Sequence, residues 1–110
     1  MVTSKTAWTL AQALDLIRDL QPIVRELHYH ITLGGGVLHE GASEKDLDLW
    51  LIPINGFESN AHEICRILID HLGQCQALRD SPDYAPDAFP HAVEMQQFNY
   101  LGKRIDVFIQ

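Results

Sequence analysis

The chain has 110 residues, 46% of them hydrophobic and 21% charged, enough for one domain with a single core and too few for a catalytic head with a separate substrate domain. Its formal net charge of −7, from 15 acidic and 8 basic side chains without a Lys/Arg run, argues against extended nucleic-acid binding but leaves room for a small anionic substrate held through metal ions. No apolar run approaches the roughly 20 residues that cross a bilayer, and MVTSKTAWTLAQALDLIRDL carries polar residues throughout instead of a signal-peptide hydrophobic region, so a cytoplasmic protein is expected.

From the N-terminus, Leu10, Leu14, Ile17, Val24 and Leu27 recur at helical spacing, and Thr9 followed by Gln12 has the pattern of a capping box. A helix over residues 9 to 28 is predicted, bent or restarted at Pro22, whose ring removes an interior backbone donor. His28 and His30 then straddle Tyr29, where partial burial is expected. YHITL, residues 29 to 33, is β-branched and aromatic enough for a short strand running into Gly34-Gly35-Gly36. After a polar loop over 39 to 45, a second strand is predicted from Asp46 to Ile54, stopped by Asn55-Gly56.

Ser59 is placed to cap a second helix, whose apolar positions Ala61, Ile64, Cys65, Leu68, Ile69 and Leu72 keep helical spacing up to Gly73. Residues 74 to 90 read as a long surface loop with a short strand near Cys75 to Leu78, because Pro82, Pro86 and Pro90 interrupt any period. The stretch AVEMQQFNYLGKRIDVFIQ reads as a hairpin turning at Leu101-Gly102. The expected fold is therefore α+β, in the order α-β-β-α-β-β, with a mixed or mostly antiparallel sheet and helices on one face. Cys65 and Cys75 form no CxxC pair and are read as reduced, with Cys65 in the core.

Side chains alternate along a strand, so Asp46 and Asp48 share one face and Leu47, Leu49 and Leu51 the other. Trp50, Ile52 and Ile54 continue the Asp face, which is expected to become core away from the carboxylates. Two carboxylates so close repel and raise each other's pKa, a cost that a divalent cation between them removes. Oxygen-rich pairs suit Mg²⁺ or Mn²⁺. A third carboxylate, Asp106 in KRIDVFI, stands in a strand where propensity disfavours it. If that strand lies beside Asp46 to Ile54, three carboxylates can hold two metals roughly 3.5–4 Å apart, the spacing used for nucleotidyl displacement. Gly34 to Gly36, lacking Cβ, let backbone approach a triphosphate. Lys45, Lys103, Arg104 and His39 are candidates to neutralise its charge, and Ser43 to cap the turn before Asp46.

The string GGGVLHEGASEKDLDLWL resembles the signature of the polymerase-β-type nucleotidyltransferase superfamily, in which small residues precede an Asp-x-Asp flanked by hydrophobics and a third acid lies on a later strand. It is most similar to the small stand-alone nucleotidyltransferase-like proteins of phage and bacterial genomes, where the stretch reads close to GGS-V-L-x-x-G-x-S-x-K-D-L-D-L. The match covers residues 33 to 50, and the order of elements extends it over most of the chain.

The resemblance implies a minimal nucleotidyltransferase domain over residues 1 to 110, using Mg²⁺ or Mn²⁺ to move a nucleoside monophosphate from an NTP such as ATP to an acceptor hydroxyl with release of pyrophosphate. It implies that Asp46 and Asp48 bind the metals, that Asp106 is the third, catalytic carboxylate and metal ligand, and that Gly35 and Gly36 border the nucleotide phosphates, where Lys45 and Arg104 are the nucleotide-binding candidates read from the residues themselves. Gly36 stands where many members have a serine that contacts the phosphates. The alternative is a catalytically weak or inactive nucleotide- or protein-binding regulator, an antitoxin- or immunity-like module on the same fold. The acceptor is open among protein, RNA and small molecule, the compartment is the host cytoplasm if the chain is phage-encoded, and one open sheet face suits a homodimer.

Overall fold

A computed structural model describes residues 7–43, 46–77 and 94–110. Along these residues run β1 (Trp8–Thr9), α1 (Leu10–Arg25), β2 (Tyr29–Gly34), α2 (Gly35–Glu40), β3 (Ala42–Ser43), β4 (Asp46–Pro53), α3 (Ala61–Leu72), β5 (Cys75–Ala77), β6 (Glu94–Tyr100) and β7 (Lys103–Ile109). Five strands form one sheet in the order β2-β4-β7-β6-β5, while β1 and β3 make a separate two-stranded ladder. β4 and β7 are parallel and the other pairs antiparallel, so the fold is α+β with a mixed sheet. Lys45 and residues 78–93, with most of the predicted loop and the predicted strand end at Leu78, lie outside the described residues.

The α1 cap forms as its sequence requires. Thr9 Oγ1 accepts from the Gln12 N–H at 3.2 Å, and Gln12 Oε1 accepts from the Thr9 N–H at 3.0 Å, a reciprocal capping box. Of the expected bend or restart at Pro22, the restart is absent, since Pro22 lies inside a continuous helix. Both Pro22 and Arg18, whose carbonyl loses its donor, are exposed, so water can serve that carbonyl in place of the missing N–H. The buried stripe is Ala13, Leu16, Leu20 and Val24, leaving the expected apolar positions Leu10 and Leu14 exposed.

Two further expectations are corrected. Ser59 does not cap α3, whose N-cap is Asn60 without a side-chain bond. The Ser59 hydroxyl instead donates to the Gln110 carbonyl at 3.0 Å, beside the Tyr29 hydroxyl, which donates to the same carbonyl and accepts from the Asn60 N–H, each at 2.7 Å. Tyr29 thereby ties β2, the start of α3 and the end of β7 together. His28 and His30 are exposed, with His28 at φ 63° stacked on Phe57 at 3.8 Å between ring centroids.

The β6–β7 turn carries Leu101 at φ 54° and Gly102 at φ 80°, the double left-handed geometry whose twist matches that of the flanking strands. Strand alternation then sorts the sheet. Leu47, Leu49 and Leu51 of β4, Phe98 of β6, and Ile105, Val107 and Ile109 of β7 are buried in one cluster with Leu16, Leu20 and Val24 of α1 and Ile64, Leu68 and Leu72 of α3. Cys65 joins this core and Cys75 packs against it. Burial pushes the Cys65 thiol up to about 12 and the Cys75 thiol also upward, which keeps both protonated and weakly nucleophilic. The other face carries Asp46, Asp48 and Trp50 with Arg104, Asp106 and Phe108. Among the described residues no helix is long and apolar enough to cross a membrane.

Candidate functional site

Parallel pairing of β4 with β7 sets Asp46 opposite Arg104 and Asp48 opposite Asp106. Gly34 pairs with Asp48 from β2, and Gln97 pairs with Asp106 from β6. Gln76 of β5 pairs with Gln97. One transverse row thus crosses all five strands as Gly34, Asp48, Asp106, Gln97, Gln76, on the face opposite the helices. Asp46, Asp48 and Asp106 each bring a carboxylate oxygen within 4.8 Å of the others. The three aspartates expected from the sequence to act together are therefore neighbours.

Asp106 is the buried member, at 4% exposure. Arg104, two residues earlier and so on the same side of β7, donates from Nε to Oδ1 at 2.8 Å and from Nη2 to Oδ2 at 3.1 Å. The two side chains are 19% and 6% exposed, so the pair is shielded, in contrast to a solvated surface ion pair. Arg104 is committed to Asp106 within the site. Lys103, another candidate, sits over the Trp8 ring with Nζ 5.0 Å from its centroid.

Asp46 carries the electrostatic cost of the cluster. Burial, a hydrogen bond to Asp106 and the charges of Asp48 and Asp106 push its carboxyl from 3.8 up to about 7, with Arg104 acting in the opposite sense. Below neutral pH a proton is thus held at Asp46, against Asp106, where three carboxylates would otherwise repel. All the donors are carboxylate oxygens, the set that hard divalent cations take. A cation could replace that proton, so the residues fit one.

The glycine triplet forms a strand-to-helix corner rather than the loop its composition suggests. Gly35 begins α2 at φ 65°, and a Cβ built on it would overlap the Asp48 carboxylate. Both facts require glycine there. Gly41, at φ 80°, ends α2. Gly36 is exposed, and a Cβ there would meet the Ala42 carbonyl and the Ser43 side chain only at 3.8 and 3.9 Å, so the position has room for a serine. Ser43 Oγ accepts from the Asp46 N–H at 3.2 Å and fixes the start of β4, as expected of a turn cap.

Further from the acids, Trp50 stacks on Phe108 with centroids 4.8 Å apart. Phe108 is buried but Trp50 and Ile52 are only partly so, so this face closes into core less fully than expected. Trp8, missed in the sequence, donates from Nε1 to the Arg104 carbonyl at 2.9 Å and pins the strand that carries Asp106. Gln97 and Asn99 were likewise missed; their i, i+2 spacing in β6 is the signal that would have placed both beside Asp106 and Arg104.

Compared with known proteins, the chain matches no family model and no curated protein.

Proposed function

We propose that this cluster binds a divalent cation and a nucleoside triphosphate, and that the chain is a metal-dependent nucleotidyltransferase of the polymerase-β type, akin to the small stand-alone phage and bacterial forms. The observation that carries the reading is the convergence of Asp46, Asp48 and Asp106, with oxygens within 4.8 Å of one another, beside a glycine corner that Asp48 leaves no room to substitute. Mg²⁺ or Mn²⁺, held by these three carboxylates, supplies charge neutralisation at the phosphates and acidity at the attacking hydroxyl.

The chain's own residues do the rest. Asp46, whose carboxyl is pushed up to about 7, would exchange its proton for a bound cation, which would make binding proton-coupled. Arg104 keeps the Asp106 carboxylate oriented by its two-pronged bond. Gly35 and Gly36 leave backbone, without side chains, along the phosphates, and Lys45, the residue before Asp46 in sequence, is the cation proposed for their charge. The acceptor hydroxyl, on a protein, RNA or small molecule, takes the nucleoside monophosphate as pyrophosphate leaves.

A second reading rests on Arg104, which already occupies both Asp106 oxygens, and on Gly36 in the serine position. It makes the chain a weak or inactive relative that binds nucleotide or a partner protein as a regulator.

Thermal unfolding with Mg²⁺ and each NTP tests ligand binding, because a ligand specific to the folded state stabilises it by about 2.7 kcal/mol at a hundred times its Kd. The shift is expected in the native protein and lost in Asp46→Asn/Asp48→Asn. No shift with any NTP would remove the nucleotide reading. Labelled NTP incubated with Mg²⁺ or Mn²⁺ and lysate then separates the two readings: a labelled acceptor supports the transferase, and binding without label supports the regulator. Gly36→Ser, which the backbone accommodates, is expected to raise any transfer rate.

A further inference from the structure

We infer that a carboxamide cleft on β5 and β6 takes the edge of a neutral nucleobase, making the acceptor of the proposed transfer a nucleoside-type hydroxyl compound. The inference rests on the transferase reading for the word acceptor, whereas the cleft itself does not.

The cleft has a volume of about 280 Å³ and is lined by Gln74, Cys75, Gln76, Gln97 and Asn99. Gln97 pairs with Asp106 and Asn99 with Arg104, and neighbouring strands lie roughly 4.8 Å apart. The cleft therefore starts one strand beyond Asp106. Gly34 approaches the same row from β2, on the far side of Asp48. The acids thus separate two unlike surfaces, bare glycine backbone on one flank and side-chain amides on the other. A phosphate chain suits the first, and a molecule that must be recognised by hydrogen bonds suits the second.

The lining chemistry narrows that molecule. Among the described residues no charged side chain lines the cleft, so none of these five supplies an ionic partner to an anion or cation. Each carboxamide offers a donor and an acceptor side by side, the arrangement by which Asn and Gln read a base edge with two bonds. The volume lies just under the range of small-molecule sites, roughly 300–1,000 Å³, and matches one base better than an extended chain.

Gln97 adds an independent sign. Its Oε1 is buried and has no hydrogen-bond partner among the described residues, although buried acceptors are ordinarily paired. The terminal torsion of a glutamine is broad, so nothing in this acceptor's own bonding fixes the amide. Turning it presents either oxygen or NH₂ to a ligand that completes the pair.

The test is titration of ¹⁵N-labelled full-length protein with adenosine, and separately with ribose, in the absence of metal and NTP, following the side-chain amide resonances of Gln76, Gln97 and Asn99. Saturable shifts of these resonances with adenosine and not with ribose are expected. Gln97→Leu, and the more exposed Gln76→Ala in case the first perturbs folding, should each weaken adenosine binding roughly tenfold. Unmoved amides at millimolar adenosine, equal shifts with ribose, or shifts confined to Gly34–Gly36 would overturn the inference. Asp46→Asn/Asp48→Asn keeps the adenosine shifts while losing stabilisation by Mg²⁺ and ATP. Amide shifts in a native protein that Mg²⁺ and ATP fail to stabilise would uphold the cleft and refute the transferase, whereas stabilisation without amide shifts would refute the cleft alone.

Discussion

On β4, Leu47, Leu49 and Leu51 point into the helices at no more than 1% exposure, whereas Asp46, Asp48 and Trp50, one position out of step, lie half-buried on the opposite side. β7 repeats the contrast with Ile105, Val107 and Ile109 against Arg104, Asp106 and Phe108. Each leucine removed from water contributes about 1.5–3 kcal/mol. The carboxylates contribute the reverse, for they must hold a proton or a guanidinium to coexist. The lesson of the two faces is a division of labour across single strands: one side supplies the stability that lets the other concentrate charge.

The helix-covered side should show the largest response. Leu49→Ala is expected to cost about 2–5 kcal/mol in urea unfolding, through lost transfer energy and the cavity left behind. A cost below about 1 kcal/mol would mean that the helices do not rest on β4 as described. On the open side, Arg104→Ala leaves the Asp106 carboxylate buried without its guanidinium. It should cost about 3 kcal/mol in the presence of chelator, while the Trp8 bond, made to the backbone carbonyl, is retained. Millimolar Mg²⁺ should restore part of that loss. Destabilisation that Mg²⁺ leaves unchanged would argue that no cation can take the place of the guanidinium.

The smallest expected effect has the opposite sign. The folded Asp46 carboxyl keeps its proton up to about pH 7, whereas the unfolded one releases it near 3.8. Between these values the folded state binds more protons, so stability falls as pH rises through the window. Asp46→Asn removes this dependence. In chelator at pH 8 it should stabilise the protein by on the order of 1 kcal/mol, well below the full linkage value because Asp46 is partly in water, and at pH 4 it should change little. A variant less stable than the native chain at pH 8 would show that Asp46 is not under the repulsion described.

Much of this contrast between faces could be read from the sequence, because a period of two is a local signal. Asp46 and Asp48 interleaved with leucines fix which side each takes whatever the partner strand. Asp106 between Ile105 and Val107 carries the same message. The capping box of Thr9 and Gln12 is equally local. The misjudged positions depend on distant partners. Ser59 has the chemistry of a helix cap, but its hydroxyl is engaged by a carbonyl 51 residues away. Pro22 leaves the helix unbroken at an exposed position, beside an exposed Arg18. The α2 helix is disguised by its two leading glycines and held by one buried side chain, Val37. Parallel pairing between β4 and β7 brings Asp48 to Asp106, and register between strands so far apart in sequence is written in no single segment.

β7 is the last of the described strands in sequence and the middle one of its sheet, between β4 and β6. Until residues 103–109 insert there, β4 and β6 each present an open hydrogen-bonding edge, and the acids at 46 and 48 lack both the third carboxylate and the arginine. The cluster is therefore assembled by the most sequence-distant pairing in the sheet, one that folds slowly because the intervening chain must first be brought back. Under the proposed reading a nascent or partly unfolded chain would not hold the cation, so cation binding would report that the sheet has closed.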